Sequence, residues 1–76
     1  MMTRYIAKIY KGNRIIDTKY NVISVNADKK YGYFEITSKI YHHEFIEVVS
    51  FKVADKIELW IDLFSEKKPR IVVERV

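Results

Sequence analysis

The chain has 76 residues with two Gly, one Pro and no Cys, and its formal charge is +4. That length accommodates one small domain over residues 1–76, and the lack of Cys excludes disulfide staples, thiolate chemistry and Cys-based zinc sites. Hydrophobic residues at 49% and charged residues at 32% exclude a disordered or low-complexity segment.

Met1–Tyr5 lacks the apolar stretch of a secretory signal, and no apolar run approaches the roughly 18 residues of a membrane span. The expectation is a cytoplasmic protein without membrane association. Gly12-Asn13, between Lys11 and Arg14, fits a two-residue hairpin loop of type II′, in which the first central residue takes a positive φ that Gly tolerates. Counting outward from that turn pairs Tyr10 with Ile15, Ile9 with Ile16, Lys8 with Asp17, Ala7 with Thr18, Ile6 with Lys19 and Tyr5 with Tyr20. Strand alternation then gives a core-like face of Tyr5, Ala7, Ile9, Ile16, Thr18, Tyr20 and Val22. The opposite, wet face carries Arg4, Ile6, Lys8, Tyr10, Ile15, Asp17, Lys19 and Asn21.

The polar stretch Asn26–Lys30 reads as the next turn. From Tyr31 to Tyr41 the alternation resumes, with Phe34, Ile36, Ser38 and Ile40 on one face and Tyr31, Tyr33, Glu35, Thr37 and Lys39 on the other. His42-His43 marks a bend. Residues 44–53 follow as a strand with apolar residues on both faces, the pattern of a central or covered strand.

Residues 54–68 fit two templates. As a strand, Ile57, Leu59, Ile61 and Leu63 form an apolar face opposite Glu58 and Asp62, and Ser65–Pro69 loops into a last strand over 70–75. As a helix over 55–67, Asp55 caps with Glu58, while Ile57, Trp60, Ile61 and Phe64 form a stripe ended by Lys67, Lys68 and Pro69. The strand template is preferred because it gives residues 70–75 a hairpin partner. The expected fold is all-β: a six-stranded antiparallel meander, curled or closed into a small barrel, with an α+β arrangement ending in a helix as the alternative.

Charge and aromatic residues are unevenly placed. Residues 1–41 hold eight basic and three acidic residues and all six Tyr, whereas residues 42–76 hold six basic and seven acidic residues. His42, His43, Glu44 and Glu47 are the closest approach to a ligand cluster, but adjacent strand residues point to opposite faces and no third His exists to complete a zinc site. There is no Gly-rich phosphate loop and no nucleophile elbow, so the sequence reads as non-enzymatic and no metal or cofactor is expected.

Tyr10 interleaved with Arg4, Lys8 and Lys19, and Tyr31 and Tyr33 beside Lys29 and Lys30, form a pattern suited to single-stranded nucleic acid. Rings stack bases and cations neutralise phosphates. Ile9-Tyr10-Lys11-Gly12-Asn13 and Lys29-Lys30-Tyr31-Gly32-Tyr33-Phe34-Glu35-Ile36 locally resemble the two short signatures of the RNA-recognition motif, and that resemblance implies Tyr10, Tyr31 and Tyr33 as the stacking residues. Lys30 replaces the signature's Gly and Ile36 an aromatic, and residues 14–28 read as strand where the family has its first helix. The likeness is therefore one of composition, aromatic and basic on β-structure. The competing expectation is a protein-interaction or inhibitor module that self-associates or pairs with a protein partner through its apolar C-terminal half, with Trp60 and Phe64 at the interface.

Overall fold

The computed structural model describes residues 3–61 and 64–76. These described residues form six strands, β1 (Tyr5–Lys11), β2 (Arg14–Asp28), β3 (Tyr33–Ile40), β4 (His43–Ser50), β5 (Lys56–Trp60) and β6 (Ile71–Glu74). They make one antiparallel sheet in the order β4-β3-β2-β1-β5-β6, curled without closing into a barrel. β1 to β4 run as a meander, and the β5–β6 hairpin adds to the remaining side of β1. No helix occurs among the described residues. The alternative over 55–67 gives way to β5, whose Ile57 and Leu59 are buried beside Ile9 and Ala7. Asp62 and Leu63 lie outside the described residues.

The curl originates in β2. Its first half pairs with β1 and its second half with β3, and Val22 stands opposite both Tyr5 and Ser38. Folding the sheet about this point brings Phe34 and Ile36 of β3 into one cluster with Ala7, Ile9, Val22, Ala54, Ile57 and Leu59. Phe51 closes it from the segment after β4, its ring edge-on to Phe34 at 4.8 Å between centroids.

The Gly12 turn forms as expected, with φ +61 at Gly12 and the pairs Lys11–Arg14 and Tyr10–Ile15. The register beyond it differs. Ile9 faces Asp17, Lys8 faces Thr18 and Ala7 faces Lys19, so Ile16 is an extra residue on β2 and the expected Lys8–Asp17 pair does not form. An inserted residue exchanges the two faces of the strand that follows it. Asp17 and Lys19 therefore stand on the face of Ile9 and Ala7, where Lys19 is half-buried and Asp17 stays exposed, and Ile16 and Tyr20 are exposed as well. A second irregularity, at Asn21 with φ +59, restores Val22 to the core, and a third, between Val22 and Ser24, directs Val25 and Ala27 inward. Asn suits the second position because its short polar side chain tolerates the left-handed region. β2 continues through Asp28, so the turn expected at Asn26–Lys30 occupies residues 29–32 instead, and the strand stands where an RNA-recognition motif has its first helix.

On β3 the alternation holds: Phe34, Ile36 and Ser38 are buried. The expectation for the following strand is overturned. β4 is an edge strand, and its residues from His43 to Val48 are exposed. Apolar residues on two faces signal burial only if other elements cover both, and the segment that follows β4 crosses to β5 over the Phe34 side.

Candidate functional site

The basic and aromatic residues singled out in the sequence fall into three groups. Lys8 and Tyr10 lie on the outer face of β1, where β5 supplies their neighbours. The Lys8 ammonium sits 4.3 Å from the Trp60 ring centroid, and that of Lys56 sits 4.6 Å from the Tyr10 ring. Between the two rings, Glu58 accepts the Trp60 indole N–H at 3.1 Å and pairs with Lys56 at 3.5 Å. Partial burial and the Glu58 carboxylate raise the Tyr10 pKa. Burial opposes ionisation of Glu58, but hydrogen bonds from Tyr10, Trp60 and Lys56 outweigh it and hold the carboxyl below its usual range. One face of each ring is thus already occupied by a cation of the same chain.

Lys29, Lys30, Tyr31 and Tyr33 lie at the β2–β3 turn. Asp28 organises it, its carboxylate accepting the amides of Lys30 at 3.2 Å and Tyr31 at 3.1 Å while its carbonyl accepts that of Gly32 at 2.8 Å. Tyr31 is 69% exposed, with the Lys30 ammonium 5.3 Å from its ring. Tyr33 is half-buried, and the charge of Asp28 raises its pKa. This group and the Tyr10 group join opposite ends of one connecting segment: Phe51 donates its amide to Gly32 and Asp55 donates its amide to Tyr10. Arg4 is exposed ahead of β1.

Lys19 belongs to neither group. Turned inward by the extra residue at Ile16, it bonds Glu47 of β4 at 3.0 Å and Asp17 at 3.2 Å. Both carboxylates raise its pKa, that of Glu47 foremost, and keep it charged.

The Lys19–Glu47 pair spans a groove between β2 and β4 lined by Ile9, Ile16, Val48 and Val53, and Tyr20, Ile40, Phe45 and Ile46 continue it along β4. Phe45 is 50% exposed, Ile46 63% and Val48 60%. Cross-strand pairing puts Phe45, Glu47 and Val49 on the inner face with Ser38, Ile36 and Phe34, and Ile46 and Val48 on the outer face with Thr37 and Glu35. The backbone of β4 has a definite polarity. Phe51 donates to Gly32, so the register partners 51 and 32 form a hydrogen-bonded pair, and by alternation Val49, Glu47, Phe45 and His43 also direct their backbone groups at β3. Glu44, Ile46 and Val48 direct theirs outward, away from the sheet.

Trp60 sits half-buried under Lys8, and Phe64 is exposed in the loop after β5. His42 and His43 are exposed at the β3–β4 turn and the start of β4. The two-sided apolar character of residues 44–53 suits both a central or covered strand and an apolar surface that a second copy or an added strand would cover, but the pattern alone singles out Trp60 and Phe64 for that surface and not Phe45, Ile46 and Val48. Comparison with protein-family models, with curated proteins and with solved structures finds no match to this chain.

Proposed function

We propose that the chain is a non-enzymatic protein-interaction module that engages its partner by strand addition at β4. The observation carrying this reading is that β4 combines outward-directed backbone donors and acceptors at Glu44, Ile46 and Val48 with exposed apolar side chains on both faces. An edge strand of this kind is a template for a further strand: the backbone supplies affinity and the alternate side chains supply specificity. Selection of a random-peptide display library against the protein tests it. Enriched peptides are expected to alternate apolar and polar residues and to shift the amide resonances of Glu44, Ile46 and Val48. Shifts confined to other strands, or failure to enrich any sequence with protein that light scattering shows to be a single chain, overturns the reading.

A second reading, contact with single-stranded nucleic acid, is supported by one observation, the exposed Tyr31 ring among Lys29 and Lys30. It is a smaller site than the sequence pattern implies, because Tyr10 is engaged with Lys56 and Glu58 and Lys19 with Glu47. Oligonucleotide binding that falls steeply with salt and is lost in Tyr31→Ala is expected on this reading; salt-independent or absent binding removes it.

A further inference from the structure

Resting on the reading of β4 as the interacting edge, we infer that its occupant is the β4 of a second copy, paired antiparallel about a two-fold axis at Glu47. A strand can pair with itself across a two-fold axis only if its pattern matches its own reverse. Residues 44–50 run Glu, Phe, Ile, Glu, Val, Val, Ser, which reads polar, apolar, apolar, acidic, apolar, apolar, polar in either direction. Centring at Glu47 sets Ile46 against Val48 of the second copy and Phe45 against its Val49, apolar against apolar on both faces. Centring at Ile46 instead sets Phe45 against Glu47 and Glu44 against Val48; centring at Val48 sets Glu47 against Val49 and Ile46 against Ser50.

The hydrogen-bonding polarity agrees with this register. Ile46 and Val48, whose backbone groups point outward, become the hydrogen-bonded pairs of the new ladder, and the two Glu47 residues form a non-hydrogen-bonded pair. A carboxylate in the middle of an edge strand ordinarily discourages pairing. Here each Glu47 already holds a Lys19 ammonium at 3.0 Å, so two copies bring two cations and two anions to the axis. The other edge of the sheet, β6, spans only Ile71–Glu74, and joining it to β4 of another copy is a head-to-tail contact that propagates without closing. The small core, with eight buried apolar residues among those described, gives the chain a reason to extend its buried surface by association.

The chain has no Cys, so single Cys substitutions report the register directly. Across a non-hydrogen-bonded pair the Cα atoms lie about 4.5 Å apart, within the roughly 4.4–6.8 Å that a disulfide spans. Light scattering at micromolar concentration is expected to give twice the 9.1 kDa chain mass. Glu47→Cys should oxidise to a covalent dimer at least tenfold faster than Phe45→Cys or Val49→Cys. Ile46→Lys should return a single-chain mass with an unchanged circular dichroism spectrum, and Lys19→Glu should do the same by leaving the axis anionic. A single-chain mass for the unaltered protein, masses that grow without limit, or equal cross-linking at positions 45, 47 and 49 overturns the inference. If library peptides still shift Ile46 and Val48 in a monomeric protein, the strand-addition reading stands and only the identity of the occupant fails.

Discussion

The Asp55 carboxylate accepts the Gly12 amide at 2.6 Å, fastening the tip of the first hairpin to the segment that leads into β5. Arg75 at 3.3 Å and Lys11 at 3.4 Å complete the arrangement, so the hairpin, the β4–β5 connection and the residues after β6 meet at one side chain. Asp55 thus ties together parts of the curled sheet that are distant in sequence.

That contact makes stability depend on acid. The Gly12 amide first, and then Lys11 and Arg75, hold the Asp55 carboxyl below its ordinary value of 3.8. A carboxyl depressed in the folded state contributes stability that is present above the unfolded value and is lost as pH falls through the folded one. The urea midpoint followed by Trp60 fluorescence should therefore drop between pH 5 and the folded value, and the drop should shrink in Asp55→Asn. Parallel pH profiles for the two proteins contradict this assignment.

Phe34 is fully buried against Phe51, and a Phe→Ala cavity costs about 3–5 kcal/mol. A core of this size supplies about 3–5 kcal/mol in total. Phe34→Ala should accordingly show no cooperative thermal transition by calorimetry. A transition displaced by only a few degrees indicates that the cluster is less central than the packing implies.

Tyr41 opens the two-residue β3–β4 turn with φ +58, and its side chain is exposed. A left-handed conformation costs a non-Gly residue roughly 1–2 kcal/mol, whereas Gly gives back about 0.4–1 kcal/mol through the entropy of the unfolded chain. Tyr41→Gly should raise stability by about 0.5–1 kcal/mol in a denaturant titration. A loss of stability shows that the tyrosine ring contributes packing beyond its contacts within the turn.

Lys8 over Trp60 is a partly exposed cation–π contact, a class worth about 0.5–1 kcal/mol. Lys8→Ala should cost about that much and alter Trp60 emission, while Lys8→Arg should preserve stability. Because Lys56 covers Tyr10 in the same way, Tyr10→Ala should leave oligonucleotide affinity unchanged under conditions where Tyr31→Ala abolishes it. Equal losses in the two variants restore the larger basic platform.

The parts of the fold that short-range chemistry dictates were legible in the sequence. The Gly12 turn, the alternation of Phe34, Ile36 and Ser38, and the β5–β6 hairpin all follow from local φ preference and period-two patterning. What escaped depends on residues distant in sequence. The extra residue at Ile16 has no local marker, yet it turns Lys19 from the outer face to the inner one, where Glu47 waits. Likewise nothing in residues 5–11 indicates that β5 will lie beside them and supply Lys56, Glu58 and Trp60 to Lys8 and Tyr10. The pattern of β4 was visible, but apolar residues on two faces describe equally a strand covered by its own chain and one awaiting another, and only the strand order distinguishes them.

The most direct measurement is amide hydrogen exchange at Ile46 and Val48, followed as protein concentration or a library-selected peptide is raised. If β4 is the interacting edge, both amides slow together with occupancy, while the Tyr31 amide keeps its rate. Exchange at Ile46 and Val48 that stays fast while association saturates contradicts the account.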